Sequence, residues 1–264
     1  MLFRHRVPRP PLASFVESIW LFRADPRPHA LERVLPTGAA QLIVNLREDE
    51  TRLYDPERPD RYVRTSGSVL SGVRSRFQVI DTSEQEYVAG VAFKPGGTVP
   101  FFRVPAYEAS DAGMPLDALW GRHRTSLLRE RLLEGECPDA QLDALEAALL
   151  EVWRPQGPHG AVAFALRAFE RAPLATSIGA VSDAAGLSAK RFCRISRFQR
   201  ALSLANRGQA VDWTGVALDA GYFDQAHFIH DFRSFAGVTP TGYQAGRTAH
   251  QNHVKFVQSP GAGD

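Results

Sequence analysis

Gln225, His227, His230 and Arg233 fall close together in a stretch whose apolar residues, Phe228, Phe232 and Phe235, recur at intervals of four and three. That spacing draws a stripe down one face of a helix and leaves the polar residues on the others. Amide and imidazole side chains there can meet the edges of nucleobases: a Gln pairs with adenine, and a His donates to guanine acceptors. Arg233 suits a phosphate, where position matters more than base identity. A second set of candidates stands upstream. Lys190, Arg191, Arg194, Arg197, Arg200 and Arg207 occur with no acidic residue between Asp183 and Asp212. On a helical wheel Lys190, Arg194, Arg197 and Arg200 lie mainly opposite Ile195, Phe198, Leu202 and Ala205. A polyanion fits such a segment, and a solvated helix face is its plainer alternative.

These residues need elements to hold them. Residues 212 to 243 read as two helices joined by a tight glycine turn. Asp212 caps the first, Val216, Ala217 and Leu218 supply its packing face, Gly221 takes the turn position that needs a positive φ, and Asp224 caps the second. This is the sequence form of a helix-turn-helix, whose second helix fits a major groove. Trp213 is expected to pack. The basic run is expected to form one long helix from about Ser188 to Arg207, with no separate helix inside it.

The rest of the chain bounds the possibilities. Its 264 residues carry a formal net charge of +2, but residues 155 to 264 hold 11 Lys and Arg against 7 Asp and Glu, so the basic excess is C-terminal. Cys137 and Cys193 are far apart and belong to no CxxC pair, which excludes a disulfide framework or a structural zinc site of that kind. MLFRHRVPRPP lacks the apolar core of a secretory signal and no run of 18 apolar residues occurs. A cytoplasmic protein with no membrane association is expected.

Residues 16 to 103 alternate short apolar runs with Pro, Gly and Asp turns (FVESIWLF, RVLPTGAAQLIVNL, TRLYDP, YVRTSGSVLSGV, FQVID, YVAGVAFKPGG), as strands of a compact barrel or sandwich do. LDALWGRHRTSLLRERLLEG and DAQLDALEAALLEVW then have helical spacing and read as a helical pair. The predicted fold is α+β: a β-rich, barrel-like domain with a helical pair over 1–153, a breaker-rich linker at 154–160, an all-α helix-turn-helix domain over 161–246 and a flexible tail over 247–264. AVAFALRAFERA and SIGAVSDAAG are the first helices of the second part.

The C-terminal part resembles the AraC family of transcription regulators, whose DNA-binding domain carries two helix-turn-helix units joined by a long helix. Ala217, Asp219, Gly221, Tyr222, Asp224, Phe228, Phe232, Gly237, Thr239, Pro240 and Tyr243 match the family pattern of the second unit. RVLPTGAAQLIVNL, FKPGGTVPFFRVPA and PLDALWG resemble the front domain of a subgroup of these regulators. The first unit departs from the pattern. SIGAVSDAAGLS looks like its leading helix and turn, but KRFxRxxRFQRAL, which resembles the start of the linker helix, follows at once. About 15 residues are missing, the span of a recognition helix and its turn. Uncovered Leu187, Phe192 or Ile195 then calls for a partner chain or the front domain as cover.

The resemblance implies double-stranded DNA as a partner, together with a small-molecule effector, an RNA polymerase contact and a homodimer. It puts base-facing positions at Gln225, His227 and His230, with Ala226 and Ile229 near the same edge, and assigns Arg233, Lys190, Arg194, Arg197 and Arg200 to phosphates. No cofactor, metal or catalytic residue is called for. His227 and His230 have no Cys or carboxylate completing a metal set, and His29 and His123 are isolated. FKPGG lacks the Gly-Lys-Ser/Thr ending of a phosphate loop. Asn45, Arg47, Arg74, Glu84 and Glu86 are candidate pocket residues by polarity. Cys193, in basic surroundings, is a candidate for a lowered pKa and, with the generic pocket potential of a barrel, the support for an enzyme, against a small half-buried residue as the plainer reading. The alternative function is a sensor or protein-interaction module that keeps the regulator fold but has lost independent DNA recognition.

Overall fold

The computed structural model describes residues 1–25, 30–155, 189–207 and 211–256. The helices expected at AVAFALRAFERA and SIGAVSDAAG, most of the linker, and the comments on His29 and Leu187 lie outside these residues. The front half is built from antiparallel strands, those between residues 16 and 93 each close to one of the alternating runs in the sequence. They are β1 Leu2–Arg6, β2 Val16–Arg23, β3 Leu31–Val34, β4 Gln41–Asn45, β5 Glu50–Tyr54, β6 Tyr62–Ser66, β7 Ser68–Ser71, β8 Gln78–Asp81, β9 Tyr87–Phe93 and β10 Gly113–Pro115. A six-stranded sheet runs β1-β2-β9-β4-β7-β10, β5 pairs with β6, and β3 and β8 belong to a third sheet.

The central strands carry the core. Ile19 and Leu21 of β2, Leu42 and Val44 of β4, and Ala89, Val91 and Phe93 of β9 are all buried. Period-2 alternation gives the strands a face to bury, and three helices cover the domain. α1 Leu116–Trp120 and α2 Arg122–Glu134 meet at Gly121, and α3 Pro138–Val152 packs on α2 and β2. Leu128, Leu132, Leu142, Leu145 and Leu149 are buried as their spacing predicts. Arg6 of β1 reaches Asp143 and Glu146 of α3 at 2.5 and 2.7 Å, fixing an edge strand that the sequence reading missed because its apolar residues do not alternate regularly.

The C-terminal half is helical: α4 Ala189–Ala205, α5 Trp213–Asp219, α6 Gln225–Ala236 and α7 Pro240–Gly246. The basic run forms one continuous helix over Ala189–Ala205, ending two residues short of the expected Arg207, while the expected start at Ser188 lies outside the described residues. Its face of Ile195, Phe198, Leu202 and Ala205 is buried, together with Phe192 and Ala201.

The tail departs from expectation. After α7 the chain crosses back and His253–Lys255 form β11, which pairs with β3 and completes the sheet β11-β3-β8. Val254 is buried, His253 Nδ1 lies 2.9 Å from Glu32 Oε2, and the Arg33 guanidinium sits 4.0 Å over the Phe256 ring. A strand this short has too little pattern to be read locally, since the edge that recruits it lies more than 200 residues away in sequence. The front domain also meets the helical part directly. The Phe77 amide donates to Phe235 O at 2.8 Å, Gln199 Nε2 donates to Pro36 O at 2.8 Å, and Gly38 lies against Ile195 and Phe192. The front domain therefore covers part of the apolar face of α4.

Candidate nucleic-acid interface

α6 begins where its sequence says it must. Asp212 Oδ1 accepts from the Thr214 amide at 3.0 Å to cap α5, and Asp224 Oδ1 accepts from the His227 amide at 2.7 Å to cap α6. Between them Gly221 has φ +88°, and α6 ends at Gly237 with φ +66°, both in the region that glycine enters without strain. Thr239 caps α7 through the Gly242 amide.

Aromatic packing holds α6 in place. Phe228, Phe232 and Phe235 are buried; Phe198 of α4 contacts Phe232 edge-on at 5.1 Å, and Trp213 stacks on Phe228 at 6.0 Å. Such ring pairs add roughly 0.5–1.5 kcal/mol each beyond their area. With that face fixed, Gln225, Ala226, His230 and Arg233 are exposed and His227 is half-exposed. The expected base-facing residues are therefore all at least half-exposed on one helix, with Gln225 at its N-terminal end and His227 and His230 following within the first two turns.

The basic helix divides into two groups. Lys190 and Arg200 are exposed. Arg194 instead grips Asp231 of α6, with Nη2 at 2.7 Å from Oδ1 and Nε at 3.1 and 3.3 Å from the two oxygens. Arg197 lies over the Tyr222 ring at 5.2 Å, its Nη1 3.5 Å from Gly221 O. The expected role of both is as phosphate ligands, whereas the structure engages them in holding α4 against α6 and its turn.

Asp231 escaped the sequence reading. It is 1% exposed, and His227 Nε2 and His230 Nδ1 approach its carboxylate at 3.9 and 3.7 Å, so it lies beneath the two histidines. Its hydrogen bond raises the Arg194 pKa, keeping the guanidinium charged. The signal was present: Asp231 sits three residues after Phe228 and four before Phe235, on the buried face, opposite a basic helix. Burial raises the Tyr222 phenol.

Other candidates resolve differently. Burial raises the Cys193 thiol, overriding the nearby Arg197, so the plainer reading of a small half-buried residue holds and a lowered pKa does not. Asn45 caps the turn after β4, accepting from the Arg47 and Glu48 amides. Arg47 pairs with Glu86 at 2.5 Å, Glu84 accepts from Tyr54 and pairs with Arg52, and Arg74 donates to Asp111 O. Each of these residues thus has a protein partner, with Arg47 tying the turn after β4 to the turn before β9 through Ser83 O and Glu86. Among the described residues no group of three or more His, Cys, Asp or Glu is placed to hold a metal, and no helix is long and apolar enough to cross a membrane.

The fold and this site define a helix-turn-helix protein with a β-rich front domain. Residues 178–246 match a family model described as a helix-turn-helix domain, and residues 4–115 match one described as a domain of unknown function (DUF6597). The helix-turn-helix domain is of the AraC type. No curated protein matches the chain in sequence. Among solved structures, an apo ToxT variant from Vibrio cholerae is similar at 13% identity and a TM-score of 0.45, covering 88% of this chain and 97% of that one. A second ToxT structure from Vibrio cholerae gives 10% identity and 0.45, with 93% and 98% covered. ToxT of the same organism with unsaturated fatty acid bound gives 12% and 0.39, with 92% and 94% covered.

Proposed function

We propose that this chain is a cytoplasmic, sequence-specific DNA-binding transcription regulator whose reading helix is α6. The observation that carries it is that aromatic residues lock one face of that helix into the core, while Gln225 at its N-terminal end and His230 stay exposed and His227 half-exposed. Gln225 and the two histidines meet base edges in the major groove. Arg233, Lys190 and Arg200 meet phosphates. Arg194 and Arg197 act from behind, holding the helix and its entry turn at a fixed angle.

The front domain responds to a small-molecule effector of unassigned chemistry. Its route to the reading helix is short, since Phe77, which leads into β8, bonds to the last turn of α6 and β11 ties the end of the helical part to β3. An effector that favours one placement of β3 and β8 changes the fraction of molecules competent to bind. One reading helix makes few base contacts, so tight binding uses two copies of the chain on adjacent half-sites, with RNA polymerase as the downstream partner.

A salt titration of duplex binding tests this. The three exposed cations assigned to phosphates, Lys190, Arg200 and Arg233, predict a slope of log K against log salt of roughly −3 per chain. A flat dependence, or no duplex binding even at low salt, refutes the reading in favour of a sensor or protein-interaction module.

A further inference from the structure

Phe223, immediately before the cap of α6, is 89% exposed, the most exposed large apolar side chain among the described residues. At a helix start, the residue before the cap ordinarily folds back onto the fourth residue of the helix. Here that place is taken by Tyr222, whose ring lies 5.2 Å from Phe228 and 5.4 Å from His227. The entry of the chain into α6 is fixed without Phe223, which is left projecting from the end of the helix. Its neighbours Asp224, Gln225 and Ala226 are exposed as well, so the ring stands at the rim of the polar surface, one residue from the cap and two from Gln225.

We propose that Phe223 reads a thymine, laying its ring against the C5-methyl group of a base next to the pair contacted by Gln225. The inference rests on the DNA-binding reading above. Residues at the start of a recognition helix are the ones that reach base edges. The thymine methyl is the apolar group that the major-groove edge of a base pair presents. Exposed Lys190, Arg200 and Arg233 in the same helical assembly favour a polyanion over an apolar protein groove as the occupant.

The test begins with a duplex selected from a random pool by the full-length chain. Affinity is then measured for that duplex and for copies in which each thymine in turn is replaced by deoxyuridine, which removes only the methyl group. The wild type should lose about four-fold at one thymine, the effect of one buried methyl-sized group. Phe223→Ala should bind the parent duplex correspondingly less well and be indifferent to that replacement, whereas Phe223→Leu should keep part of the sensitivity. Unchanged melting of both variants separates the effect from folding. Sensitivity that persists in Phe223→Ala, or is absent from the wild type, overturns the assignment even where duplex binding holds. Loss of a partner protein by Phe223→Ala with methyl sensitivity intact also overturns it. Failure to select any duplex removes this inference together with the reading beneath it.

Discussion

Replacing Arg194 with Met tests how α6 is held. Asp231 is 1% exposed, and its strongest partner is Arg194, which donates to both carboxylate oxygens. Removing the guanidinium strands a buried negative charge with only His227 and His230 nearby, neither closer than 3.7 Å. Breaking a buried pair in this way costs about 3–5 kcal/mol. The Arg194 side chain is 26% exposed, so water screens part of the interaction and the lower end, ~3 kcal/mol, is the expected cost. For a protein of this size that is a fall in melting temperature of roughly 6–12 °C. Arg194→Met combined with Asp231→Leu removes both charges and should recover most of the loss, because an apolar replacement of a buried pair is often neutral. Urea unfolding of the full-length chain, followed by circular dichroism and tryptophan fluorescence, measures both variants. A single variant that loses less than about 1 kcal/mol, or a double variant as unstable as the single, would show that the pair does not hold α6.

Three further outcomes follow from the same structure. Gly237→Ala should destabilise the chain by roughly 2–4 kcal/mol in a thermal melt, because φ is +66° and the new Cβ would meet the Phe77 ring; a melt within 1 °C of wild type contradicts this. Val254→Asp puts a charge at a buried position of β11, so the strand should detach from β3, with faster hydrogen exchange across residues 31–34 and 250–256 and little change in α6; unchanged exchange there refutes the pairing. With its pKa raised by burial, the Cys193 thiol is protonated at neutral pH and should be alkylated more slowly than exposed Cys137, catching up only as the pH rises through its titration; faster labelling of Cys193 at pH 7 would contradict that burial.

Local signals account for much of the helix-turn-helix. Asp212, Gly221, Asp224, Gly237 and Thr239 each determine a cap or turn within a few residues of themselves, and Phe228, Phe232 and Phe235 declare the buried side of α6 by spacing alone. The strands from β2 to β9 are legible for the same reason, since alternation is a short-range property, whereas β1 does not alternate regularly and is not. Tertiary structure decided which cations are free. Arg194 and Arg200 look alike in the sequence, but only Arg194 lies opposite Asp231 once α4 crosses α6. It likewise decided that Tyr222 and not Phe223 packs on Phe228, and that His253–Lys255 complete a sheet begun at Leu31. Caps, turns and periodicities are properties of neighbouring residues, and a sequence states them directly. A charge pair, an exposed ring or a strand on a distant edge depends on where two remote segments meet, which the folded chain alone determines.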